Sequence, residues 1–148
     1  MPKDIDADQA STLRRVRTSF SQQSMMATLG ATLADADRGR CVLRAPIGAH
    51  VLQQHGAAHA GLAFMLGDSA AGYAALTLMP HDAEVMTVEM KINLMAPAVG
   101  DALEAVGTVV KSGRRLSVVQ AEVFALSGAH RKTIALLQGT MIPVPLPE

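Results

Sequence analysis

From His59 to Met79 the chain is built almost wholly of Ala, Leu, Met and Gly, with few β-branched side chains, and Pro80 lies just beyond. Straight-chain and small residues lose little rotamer freedom in a helix and proline stops one, so the composition predicts one long helix. It is apolar nearly all round, which belongs to a helix surrounded by protein on every side. The part from Ala60 to Met79 has the length to span a bilayer. It carries Asp68, Ser69, Thr77 and three glycines, however, and a carboxylate at mid-span costs roughly 2.5 to 3.5 kcal/mol. The segment therefore reads as the buried central helix of a soluble domain, and the other elements must wrap it.

The remaining pattern supplies that wrapping. Residues 8–22 place Leu13, Val16 and Phe20 on one stripe among Arg14, Arg15 and Arg17, the spacing of a surface helix. Residues 29–43 read as two short strands turning at Asp37-Arg38-Gly39, and Pro46 and Gly48 then break regular structure. From Val85 to Leu94 the chain alternates, with Met86, Val88, Met90, Ile92 and Leu94 on a core face and Thr87, Glu89, Lys91 and Asn93 on a polar one. Strands over 102–110, 116–126 and 132–142 follow, separated by turns at Ser112-Gly113 and Ser127-Gly128. Pro143, Pro145 and Pro147 are expected to end the pairing and leave 143–148 as a disordered or extended tail. The order predicts a single α+β domain over 1–148: an antiparallel sheet wrapped around one long central helix, with an extra N-terminal helix.

Composition narrows the class of partner. Thirteen Lys and Arg balance thirteen Asp and Glu, so no overall field favours nucleic acid or anionic lipid. Hydrophobic residues reach 49% with aromatics at 3%, a core of aliphatics, Ala and nine Met, with enough apolar surface to suit an oligomer. Cys41 has no partner for an internal disulfide, and the first ten residues are acidic where a secretory signal would be basic and then apolar; both point to the cytoplasm.

Asp68 is the one charge between His59 and His81. Burial raises the pKa of a carboxylate, which suits it to act as a base near neutral pH. The competing reading is that Gly67-Asp68-Ser69 interrupts the helix and Asp68 caps its second half. Upstream, the small residues from His55 to Gly61 precede the helix start, where the free N–H of Ala60 or Gly61, with the positive dipole end behind it, could hold an oxyanion. A close-packing turn is the alternative there. Ala60 and Asp68 are eight residues apart, about 12 Å along a helix axis, so one carbonyl cannot touch both. If both act, they come from different subunits of a two-fold oligomer.

His59-Ala60-Gly61 followed by Leu66-Gly67-Asp68-Ser69-Ala70-Ala71-Gly72 resembles the His-Gly-Gly to Asp segment of the PaaI-type hot-dog acyl-CoA thioesterases, at the same spacing. Thr87 to Asn93 with Met95 to Ala98 is similar to their next strand, and Val110 to Arg114 to their following turn. The resemblance runs from about Phe20 to Ile142 and implies the hot-dog fold. It implies Asp68 as nucleophile or general base, the Ala60 N–H as oxyanion donor, Thr87 as a hydroxyl beside Asp68, and His59 as the residue orienting the loop or bonding the carbonyl region. Gln53 stands where the family often has an Asn that positions water or thioester and is one methylene longer; Ala60 replaces a Gly.

Coenzyme A phosphates call for cations. Lys111, Gly113, Arg114 and Arg115 at one late turn are the chosen binding group, with Arg131 and Lys132 near the other; ordinary solvated turn charges are the alternative. His55 and His59, with His50 nearby, have a spacing that could suggest metal, but no Glu follows His55 and Gly56 disfavours helix, so no metal or redox cofactor is expected. Cys41 has no evident activating base and reads as structural. The function expected is hydrolysis of a medium-chain or aromatic acyl-CoA by a homodimer or homotetramer. A non-catalytic acyl-CoA binder and a hot-dog hydratase or dehydratase are the rivals.

Overall fold

Small residues let the central helix sit close to a curved sheet, and that contact organises the molecule. The computed structural model describes residues 5–148, so the first four residues of the acidic N-terminal stretch lie outside the described residues. Helix α1 spans Ile5–Ser21, α2 Ser24–Leu29, β1 Thr32–Asp37 and β2 Arg40–Pro46; after a 3-10 turn at Ala49–Val51 come α3 (Ala60–Leu76), β3 (Ala83–Leu94), β4 (Ala102–Ser112), β5 (Ser117–Ser127) and β6 (His130–Pro145). The six strands form one antiparallel sheet in the order β1-β2-β4-β5-β6-β3. α3 lies against this sheet and touches every strand, so the α+β fold is the hot-dog architecture.

The core is aliphatic, as composition required. Leu66, Ala70, Ala71 and Ala74 of α3 are fully buried against Leu43, Leu103, Val119 and Val123, and Val16 of α1 and Met26 of α2 close one end. At Gly107 of β4 helix and sheet approach closely: a Cβ there would lie 2.3 Å from the backbone of Ala70. α3 ends at Leu76, and the Thr77 hydroxyl that follows donates to the Ala74 carbonyl at 2.6 Å while its oxygen accepts the Gly39 N–H at 2.7 Å. That second bond pins the β1–β2 turn, where Gly39 takes the left-handed conformation (φ +71°).

Four expectations are corrected. α1 begins before residue 8, and a separate short helix, α2, occupies Ser24–Leu29, so the first strand starts at Thr32. Gly30, at φ +65°, stops α2. The clean alternation expected along β3 fails because a bulge between Thr87 and Glu89 inserts Val88 and reverses the facing of what precedes it. Val85 packs against the core on one side of the bulge and Met90 and Ile92 on the other, while Met86 and Val88 are 56% and 57% exposed. Finally, β6 does not stop before Pro143 but pairs with β3 as far as Ala83↔Pro145. Its other neighbour, β5, has already ended at Ser117↔Met141. Successive residues of a strand direct their N–H groups to alternate sides, so Pro143 and Pro145 lose donors on one side only and Val144 keeps the other.

Candidate active site

α3 runs without interruption through Gly67-Asp68-Ser69, so Asp68 is not a cap of a second half-helix. Its carboxylate Oδ1 accepts a hydrogen bond from the Thr87 hydroxyl at 2.8 Å, across to β3. The bulge turns Thr87 toward α3 rather than onto the polar face its place in the alternation predicted. Burial pushes the Asp68 carboxyl above its ordinary range, and the Thr87 hydrogen bond pulls it partly back. Asp68 opens with Ser69 and Thr87 into a cleft of about 170 Å³ that has four further polar walls, Ser19, Gln23, Tyr73 and Glu84. None of these four was singled out by the sequence. Tyr73 follows Asp68 by five residues, about 140° around the helix, so periodicity does not set it beside the acid, and Ser19 of α1 and Gln23 of the α1–α2 junction arrive from the N-terminal segment.

At the other end of α3, His59 is the N-cap, and its Nδ1 accepts the Gly61 N–H at 2.8 Å. Gly61 is therefore occupied as a donor, while the Ala60 N–H has no acceptor among the described residues. The loop feeding this start is fixed by backbone bonds from His59 N–H to Val51 O (2.8 Å) and Ala58 N–H to Ala98 O (2.9 Å). Gln53 closes its own turn: its backbone N–H reaches Ala57 O at 2.8 Å and its side-chain carbonyl accepts the His55 N–H. Gln53 also lines the neighbouring cavity of about 430 Å³, with Ala60, Ala63, Leu94 and Pro97. Within one chain Ala60 and Asp68 stay eight residues, about 12 Å, apart along the helix axis.

Thr87, Met141, Ser117 and Ser112 pair in one row across the sheet. The turn bearing Gly113, Arg114 and Arg115, closed by Gly113 N–H to Leu116 O at 2.8 Å, thus lies at the Asp68 end, about 14 Å from Thr87 at one strand spacing per step. Lys111, Arg114 and Arg115 are exposed, and no ion pair among the described residues involves them. Arg131 is different: it bonds the buried Glu104 at 2.9 Å and stacks 3.3 Å over Phe124, which commits it to the sheet. Burial of Glu104 opposes its charge, but bonds from Arg44 and Arg131 hold it below the usual carboxylate range. Cys41 is buried in β2, and burial pushes its thiol up to about 12. Among the described residues no three His, Cys, Asp or Glu gather as metal ligands, and no helix is long and apolar enough to cross a membrane.

The hot-dog fold hosts more than one chemistry, and comparison with known proteins gives the class. A sequence model described as the thioesterase superfamily matches residues 55–130. The "Putative esterase" of Halobacterium salinarum is 30% identical over 125 residues, covering 80% of each chain. The crystal structure of a thioesterase family protein from Silicibacter pomeroyi superposes with a TM-score of 0.89 at 39% identity, over 91% of this chain and 99% of that one. The PaaI protein of the E. coli phenylacetic acid degradation operon shares the fold, with a TM-score of 0.82 at 23% identity over 92% and 95% of the two chains. The chain belongs to the thioesterase superfamily, and it is a thioester hydrolase of PaaI-type hot-dog fold.

Proposed function

We propose that this hydrolase cleaves a medium-chain or aromatic acyl-CoA to the free acid and CoA, with Asp68 as its catalytic carboxylate. The observation that carries the reading is a half-buried acid at the middle of an apolar helix, bonded among the described residues only to Thr87 and facing a cleft. As a base, Asp68 takes a proton from water, whose oxygen attacks the thioester carbonyl; the C–S bond breaks, and the proton passes to the departing thiolate. As a nucleophile, its oxygen attacks the carbonyl and expels the CoA thiolate, forming an anhydride that water opens to the free acid and the Asp68 carboxyl, whose proton passes to the thiolate. In either course the carbonyl oxygen becomes an oxyanion held by the Ala60 N–H at the positive end of α3. His59 fixes that helix start, Gln53 lines the cavity beside it, and Thr87 tunes the acid.

Because Ala60 and Asp68 of one chain are too far apart to share a carbonyl, the working site pairs Asp68 of one protomer with the helix start of a second, in a homodimer or a dimer of dimers. Arg114 and Arg115, with Lys111 and the Gly113 turn, would meet the CoA phosphates from the Asp68 end. The chemistry requires neither metal nor redox cofactor, and a buried free cysteine suits the cytoplasm. Asp68→Asn is expected to lower kcat by at least ~10²-fold with an unchanged circular dichroism spectrum. Full turnover by that variant, followed with a thiol reagent, would exclude the mechanism. Tight acyl-CoA binding without CoA release by the unmodified protein would favour the binding-protein reading instead.

A further inference from the structure

The cleft at Asp68 continues along the helix. Gly61, Met65, Asp68 and Gly72 are spaced by four, three and four residues, which aligns them in one stripe of α3. Over this stripe the N-terminal segment runs the opposite way. Near Asp68, Ser19 meets the Tyr73 hydroxyl at 3.2 Å and Gln23 donates to it. Toward the helix start, Met25 and Leu29 of α2 lie with Leu52 around Gly61, Leu62 and Met65. The groove therefore has a polar half of about 170 Å³ at the carboxylate and, sharing no lining residue with it, a half of about 340 Å³ that is apolar except for His50 and His59. The halves adjoin: Met65 precedes Asp68 by three residues, about 4.5 Å of helical rise.

We propose that the apolar half is the acyl trough, that it takes an unbranched alkyl chain on the order of ten carbons at roughly 30 Å³ per group, and that Met25 is its specificity-determining wall. The assignment rests on the thioesterase reading above and chooses within it. Met25 and Met65 are unbranched and adaptable, as a flexible chain requires. No Phe, Tyr or Trp lines the trough, whose ring side chains are His50 and His59, the latter held by the Gly61 N–H. Met25 is 57% exposed and Leu52 40%, an apolar lip that an alkyl chain would cover.

The test measures kcat/KM for straight-chain substrates from acetyl- to myristoyl-CoA and for phenylacetyl-CoA, alongside Kd for alkyl-CoA thioethers, which cannot be hydrolysed. For the unmodified protein both quantities should improve up to about fourfold per methylene, the ratio that corresponds to ~0.8 kcal/mol for a buried CH₂, and level off near ten carbons. Octanoyl-CoA should surpass phenylacetyl-CoA. Met25→Trp, at an exposed position of a short surface helix, should move the levelling point to shorter chains, and Leu52→Trp on the facing wall should do the same. A flat profile, a preference for phenylacetyl-CoA, or tryptophan variants that superpose on the unmodified protein would overturn the trough. If CoA release were flat with chain length, the trough would fall and hydrolysis would stand. If no substrate released CoA while thioether affinity still rose with length and responded to Met25→Trp, hydrolysis would fall and the trough would stand.

Discussion

Gly107→Ala would measure how firmly the sheet fixes the helix that carries Asp68. The new methyl carbon would stand 2.3 Å from the Ala70 carbonyl carbon and oxygen and 2.4 Å from the Ala71 nitrogen, where ordinary contact begins at 3.4 Å. All three atoms are helix backbone, so no side chain can swing aside. α3 must retreat by about 1 Å against strands on either side, in a core that packs like a crystal. Overpacking of this kind costs typically 1 to 3 kcal/mol, and with backbone as the obstacle we expect the upper end, about 3 kcal/mol. For a domain of this size that is a fall in Tm of roughly 6 to 12 °C, to be read by thermal unfolding at fixed protein concentration because oligomers melt later when concentrated. Asp68 lies two residues from Ala70 and would move with it, and a 1 Å misplacement of a reacting group costs on the order of 10²-fold in rate. A variant with unaltered melting and turnover would show that α3 is not held where the contact places it.

Other outcomes follow from the titrating groups. Thr87→Val removes the hydrogen bond that steadies the Asp68 anion, so the ascending limb of the kcat/KM profile should move to higher pH; an unmoved limb would remove Asp68 as the group titrating there. Burial raises the folded-state pKa of Asp68 above its unfolded value, so ionisation costs stability as pH rises from one to the other. Asp68→Asn should therefore melt higher than the unmodified protein at about pH 8 and lose that advantage below about pH 4. Equal melting at about pH 8 would contradict the burial cost. Glu104 behaves oppositely, because its folded-state pKa is depressed: its stabilisation is present above the unfolded value and is lost as pH falls through the folded one. Glu104→Gln should cost about 1 to 2 kcal/mol by urea unfolding at neutral pH, since both arginines are half in water, and the gap should close in acid. A gap that stayed constant from neutral pH into acid would mean that the ion pairs contribute nothing.

Much of the fold could be read in advance because it depends on local pattern. The helix from Ala60 needed only its run of Ala, Leu and Met and the proline after it, and the β1–β2 turn needed only Gly39. β3 was misread because a bulge is a property of two strands together: nothing within residues 83–94 says that Val88 is one residue too many for its partner. β6 was cut short for a similar reason, since prolines forbid pairing only on the side their nitrogens face, and which side is unneeded depends on where β5 ends. Asp68 was conspicuous as a charge among apolar neighbours. Alternation set Thr87 on the polar face and only the family resemblance put its hydroxyl beside Asp68, while Ser19 of α1 and Gln23 of the α1–α2 junction come from some fifty residues upstream.

The prolines at the close of β6 have a further consequence. Beyond Met141 that strand has β3 on one flank and no β5 on the other, and an extended segment with a vacant flank invites a stray chain to zip onto it. Two missing amide hydrogens in alternate positions spoil any regular ladder built from that side. The last strand can thus be long enough to back the bulge that aims Thr87 without turning the C-terminus into a seed for aggregation.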